Sequence, residues 1–145
     1  MYLVFKLDGK VCLLTMSDEL LSQDVDHMSI GLPYDVKFFI KNKHDIPVEP
    51  IQSWILTQDG QIEIDQDKLA QFNRSQMPTL SPIEFDIKLN KNGLYNAMQA
   101  LIKDDFEIRI AYTRATFFSR TDPFIEQARI AMNLTDEQVD EMWAS

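Results

Sequence analysis

Residues 80–143, LSPIEFDIKLNKNGLYNAMQALIKDDFEIRIAYTRATFFSRTDPFIEQARIAMNLTDEQVDEMW, decide the fold class, because most of the chain's helix punctuation lies there. Ser81-Pro82-Ile83-Glu84 combines an N-cap serine, a proline at the first helical position and a glutamate placed to complete a capping box. A helix starts here and should stop at Asn92-Gly93, where glycine supplies a left-handed residue. Leu94, Ala97, Met98, Leu101 and Ile102 then fall on one helical face. After a break at Asp104-Asp105, Phe106, Ile108, Ile110 and Tyr112 alternate like a strand, while Ile110, Arg114, Phe117 and Phe118 also fit a helix. The helix is preferred, since Ala111 and Ala115 sit inside and a strand would leave a long edge. Thr121-Asp122-Pro123 opens the next helix, whose inner face is Phe124, Ile125, Ala128, Ala131 and Met132, and Asn133 ends it. Thr135-Asp136-Glu137-Gln138 is a second capping box, and Val139, Met142 and Trp143 face inward behind it.

Upstream, the pattern changes to strands. Segments 2–7 and 10–15 flank Asp8-Gly9, a two-residue turn that suits a hairpin. Leu3, Phe5 and Leu7 share one face, and Tyr2, Val4 and Lys6 the other. Ser17-Asp18-Glu19-Leu20-Leu21 reads as a capped short helix or turn, and 22–31 as a connection. A third strand is expected over 35–41. Pro47 and Pro50 keep Val48 extended or at a sheet edge. Segments 52–57 and 61–65 flank Gln58-Asp59-Gly60 as a second hairpin, with Trp54 and Leu56 on one face. A helical turn is expected over 67–73.

The fold class is therefore α+β: a small N-terminal antiparallel β-sheet of about four strands over 1–72, a linker over 73–79 that offers few core candidates, and a C-terminal bundle of short helices over 80–145. The 145 residues, 45% of them hydrophobic, suffice for a core. No run is long enough to cross a bilayer as a helix, and the first residues lack the apolar stretch of a signal peptide, so a protein assembled in the cytoplasm is expected. A net charge of −9 argues against binding nucleic acid through phosphates. An acidic surface suits solubility, a basic partner or mimicry of nucleic acid.

No residue pattern points to a reaction or a cofactor. Cys12, among Val11, Leu13 and Leu14, reads as a packed strand thiol. His27 and His44 lie in connections without metal-ligand spacing. Asp59, Gln61, Glu63, Asp65 and Asp67 alternate like a calcium loop but lack its central glycine and closing glutamate. Serines stand outside nucleophile motifs, and no glycine-rich phosphate loop exists. Asp136, Glu137, Asp140 and Glu141 read as a solvated helix-start face. Phe117, Phe118, Phe124 and Trp143 read as core or as a sticky patch. Arg120 either anchors a partner or pairs with a cap acid. Arg120, Phe117, Phe118 and Trp143 are accordingly the candidate partner-binding residues.

Ser81-Pro-Ile-Glu-Phe85, Leu89, Asn92-Gly93-Leu94, Arg120-Thr-Asp-Pro123 and Asn133-Leu-Thr-Asp-Glu-Gln138 followed by Asp140 resemble the C-terminal region of small tailed-bacteriophage virion proteins. That family runs "S-P-x-Q-F…L…G-L", then "R-x-x-P", then "G-L-T-D-x-Q-x-D-x-L-F". Glu84 stands where the family tends to have glutamine, Asn133 where it has glycine, and Trp143 near its terminal phenylalanine. The resemblance covers slightly less than half the chain. It implies a phage tail or tail-fibre-associated protein and no reaction, so the expected function is a non-enzymatic tail component, fibre or baseplate associated, that docks on other tail proteins or on a second copy of itself; charge, composition and motifs add the expectation of no direct nucleic-acid binding, no membrane and no cofactor. The rival expectation from charge and size is an acidic phage inhibitor that occupies a basic groove of a host protein.

Overall fold

Alternating apolar residues on either side of Asp8-Gly9 build a hairpin of β1 (Tyr2–Leu7) and β2 (Lys10–Thr15) in a computed structural model that describes residues 1–17, 25–26 and 30–145. Leu7 lies opposite Lys10, so Asp8 and Gly9 alone make the turn. Their φ angles, 49° and 77°, are both left-handed, which matches the twist of the strands they join. β3 (Phe38–Lys41) pairs antiparallel with the other side of β1, giving the order β2-β1-β3. As the central strand, β1 is covered on both faces at Leu3 and Val4, while Leu7, expected on an apolar face, is exposed at the strand end. β3 is shorter than the 35–41 expected. The short helix expected from Ser17, most of the following connection, and His27 fall largely outside the described residues.

The second hairpin, β4 (Trp54–Leu56) with β5 (Ile62–Ile64), forms a separate two-stranded sheet, so the expected single sheet of four strands is in fact two sheets. Trp54 and Leu56 are buried on its inner face. No strand forms between Pro47 and Pro50, and Val48 is exposed. Gly60 has a φ of 86°, and a Cβ there would stand 2.2 Å from Cδ1 of the Phe39 ring. That ring also lies under the Lys37 ammonium, whose Nζ donates to Gln58 O at 2.7 Å. The hairpin loop is thus clamped onto the β3 region at the one residue that cannot carry a side chain. Gly60→Ala is expected to destabilise residues 1–72 by about 2 kcal/mol, combining left-handed strain with displacement of the ring. Thermal unfolding of the variant checks this, and an unchanged midpoint would contradict it.

α1 (Gln66–Ser75) starts where Asp65 accepts the Lys68 N–H at 3.1 Å. It runs to ten residues rather than the single turn expected over 67–73. The chain divides into two compact units, Met1–Phe72 and Asn73–Ser145. Residues 73–79, expected as a linker, belong to the second unit. Arg74 enters its ion pairs, Met77 packs on its core, and Pro78 O accepts the Trp143 indole N–H at 2.8 Å.

The second unit consists of α2 (Pro82–Lys91), α3 (Tyr95–Asp104), α4 (Phe106–Arg114), α5 (Pro123–Ala131) and α6 (Asp136–Ala144). Their ends follow local chemistry. Ser81 and Glu84 form a reciprocal capping box at α2, and Thr135 and Gln138 form another at α6. After α2, Gly93 is left-handed and the Leu94 N–H reaches back to Leu89 O at 2.8 Å. Asn133, with φ 54°, does the same after α5, where the Leu134 N–H donates to Arg129 O at 3.0 Å.

The core is aromatic. Phe85 lies within 6.5 Å, centroid to centroid, of Phe118, Trp143, Tyr112 and Phe124, closest to Phe118 at 4.4 Å. Leu80, Leu89, Met98, Ile102, Ile108, Ile125, Ala128, Val139 and Met142 complete it. Ala97 and Ala131, expected inside, are exposed, because each lies at the margin of its stripe where larger neighbours reach the core first. α4 is a helix as preferred, but it ends at Arg114 and does not include Phe117 and Phe118. Phe118 instead pairs its backbone with Leu80 through two hydrogen bonds of 2.9 and 2.7 Å. The chain is therefore α+β, with its strands N-terminal and most of its helix C-terminal. No helix among the described residues is long and apolar enough to cross a membrane.

Candidate functional site

Arg120 follows the Leu80–Phe118 bridge and precedes α5, and at 3% exposure it is the most buried charged side chain described. Burying a guanidinium requires partners for its donors. Its Nε donates to Asp140 Oδ1 at 2.6 Å and its Nη2 to Asp136 Oδ1 at 2.8 Å, with Asp136 O at 3.3 Å. Asp136 and Asp140 are four apart on α6 and so share one helical face. The same carboxylates take Arg74, whose Nε lies 3.0 Å from Asp140 Oδ2 and whose Nη1 lies 3.8 Å from Asp136 Oδ2. Arg129 stands 3.7 Å from Asp136 and bonds Glu126 at 2.8 and 2.6 Å. Its Nη1 also donates to Leu134 O at 2.8 Å. Arg74, Arg120 and Arg129 thus balance Glu126, Asp136 and Asp140 within the second unit.

The reading of Asp136 and Asp140 as part of a solvated face is overturned for these two, while Glu137 and Glu141 are exposed. Arg120 pairs with acids of a different helix from the one it precedes. Asp122, the adjacent cap acid, accepts the Ser119 N–H at 2.7 Å instead. The signal available in the sequence was the spacing of Asp136 and Asp140 beside Val139 and Trp143.

Electrostatics favours the charged forms of Asp136, Glu126 and Arg129. The hydrogen bond from Arg120 lowers the Asp136 pKa below the ordinary carboxylate range against the opposing effect of burial, and Arg74 and Arg129 assist. The hydrogen bond from Arg129 lowers that of Glu126, and the same bond raises that of Arg129. Each of these three shifts strengthens the charged form that its ion pair uses. Tyr112 is raised above its ordinary value by burial and by its hydroxyl bond to Asp86.

These directions fix a pH profile for the helical unit. Lowered carboxylates contribute fully above their unfolded values, near pH 4 to 4.5, and that contribution is lost as pH falls through the folded values. Raised Tyr112 contributes below about pH 10 and is lost as pH rises through its folded value. Urea midpoints against pH should therefore hold a plateau between these limits and fall on both sides. A profile still rising below pH 4 would contradict it.

Of the four candidate partner-binding residues, Arg120, Phe118 and Trp143 are interior, and only Phe117 is exposed. The apolar surface comes largely from residues not singled out by the sequence. α2 carries apolar residues on two faces: Phe85 and Leu89 point into the core, whereas Ile83 and Ile87, one turn apart, lie on the outside. Phe106 and Ile130 are also exposed. The doubled pattern was visible in Ile83-x-x-x-Ile87 interleaved with Phe85-x-x-x-Leu89.

Elsewhere, Cys12 is half-buried in β2, and His44 lies 3.3 Å from Asp45. Asp59 accepts the Thr57 hydroxyl while Asp65 caps α1, so these alternating acids are engaged separately. Among the described residues no three His, Cys, Asp or Glu side chains converge in a way that would hold a metal ion. No protein-family model, curated protein or solved structure matches the chain.

Proposed function

We propose that the protein is a non-enzymatic bacteriophage structural or assembly component of the tail, associated with fibre or baseplate, that works by docking on other tail proteins. The observation that carries the docking part is α2, whose outer stripe of Ile83 and Ile87 stays exposed while its inner stripe fills the core. The tail assignment rests on the resemblance of the C-terminal half. In keeping with it, Ser81, Glu84, Arg120, Thr135, Gln138 and Asp140, which carry that resemblance, serve as caps and ion pairs that maintain a shape.

Mass spectrometry of purified virions tests the reading. Peptides of this chain should be present in the particle. Their absence, with free protein in the lysate, would reject a virion component and favour the acidic inhibitor, for which the net charge of −9 is the supporting observation. If the chain is in the particle, Ile83→Glu with Ile87→Glu should preserve the fold and prevent incorporation.

A further inference from the structure

Asn92 is the only one of six asparagines that a glycine follows, and the pair Asn92-Gly93 closes α2. An asparagine side chain and the next backbone nitrogen can close a five-membered ring, which a side chain on the following residue hinders. Gly93 has none. A Cβ there would meet nothing within 4 Å, and Asn92 is exposed, so neither crowding nor exclusion of water guards the pair. Hydrogen bonds do. Asn92 Nδ2 donates to Lys88 O at 2.8 Å, one turn back along α2, and to Ser145 Oγ at 3.1 Å. The nitrogen that would attack is engaged as well, since the Gly93 N–H donates to Asn90 O at 3.1 Å and the Leu94 N–H beyond it to Leu89 O at 2.8 Å. Ring closure has to break the side-chain bonds and rotate the Asn92 ψ away from 8°, which undoes the turn.

From this arrangement we infer that Asn92 is a site of spontaneous deamidation that the folded helical unit holds in check and unfolding releases. Gly93 N bonds to Asn92 Cγ, the Cγ–Nδ2 bond breaks, and ammonia leaves with the proton from Gly93 N. Water then opens the cyclic imide at either carbonyl, leaving aspartate or its β-linked isomer. Neither product fits the original turn. An ionised carboxylate only accepts hydrogen bonds, so it cannot donate to Lys88 O or Ser145 Oγ, and it places negative charge at the C-terminal end of a helix. The isomer also adds a methylene to the main chain just before Gly93. Unfolding of this unit therefore becomes partly irreversible, because refolded chains carry a weakened α2 end. The inference does not depend on the protein being a tail component.

The test holds the full chain at mildly alkaline pH, either folded in buffer or unfolded in guanidinium chloride, and follows its tryptic peptide 92–103 by mass spectrometry with fragmentation. Asn96, which alanine follows in the same peptide, is the internal reference. Asn92 should deamidate at least about tenfold faster in denaturant than in the folded chain, and in denaturant well ahead of Asn96. After removal of denaturant, the unfolding midpoint of the refolded chain should drop as the modified fraction rises. Asn92→Gln, which would have to close a six-membered ring, should keep its midpoint through the same treatment. Asn92→Asp, one of the products, should unfold at a lower denaturant concentration than the unmodified chain. Equal rates at Asn92 in the folded and unfolded chain, equal rates at Asn92 and Asn96, or an unchanged midpoint in Asn92→Asp would overturn the inference.

Discussion

Arg120→Ala is expected to lower the unfolding free energy of the helical unit by about 3 kcal/mol. The estimate follows from leaving a partly buried pair of carboxylates without the guanidinium that bridges them. Asp136 and Asp140 retain Arg74, and Asp136 retains the more distant Arg129, so the loss belongs at the lower end for a broken buried pair. Arg129→Ala should cost less, about 1 kcal/mol, because its strongest bond is to Glu126, which is half exposed. Arg120→Lys should recover little, since a single ammonium cannot span both carboxylates as the planar fork does. Urea unfolding followed by far-UV circular dichroism ranks the three variants. Arg120→Ala unfolding at the same urea concentration as Arg129→Ala would show that burial of Arg120 carries no weight.

Trp143→Ala is expected to cost about 4 kcal/mol, the range for truncating a fully buried indole. The ring is 2% exposed, lies 5.8 Å from the Phe85 centroid, and donates to Pro78 O, so its removal opens a cavity and orphans a carbonyl together. Trp143→Phe separates the two effects. It retains much of the packing and should lose about 1 to 2 kcal/mol, much of it from the missing hydrogen bond. If alanine and phenylalanine destabilise equally, the hydrogen bond to 73–79 matters more than the packing.

What could be read from the sequence was what short-range chemistry determines. Ser81 and Thr135 announce helix starts because a cap needs only residues three apart. Gly93 and Asn133 announce helix ends because few residues accept a left-handed φ. Asp8-Gly9 specifies a turn for the same reason. Features that depend on distant partners were not legible. Residues 73–79 look like a linker in composition, yet Arg74 and Pro78 are bound by residues about sixty-five positions later. Arg120 reads equally well as a surface anchor until Asp136 and Asp140 are brought against it. Phe117 and Phe118 are neighbours of the same type, and only the backbone pairing of Phe118 with Leu80 decides which one turns inward.

The central claim is that the ionised side chains of the helical unit maintain its shape, with Arg120 and Asp140 at the middle. The most direct measurement is a double-mutant cycle of Arg120→Ala and Asp140→Ala, scored by urea unfolding. The account predicts a coupling of at least about 1.5 kcal/mol, with the double variant less unstable than the sum of the singles. Additivity within about 0.5 kcal/mol would contradict it.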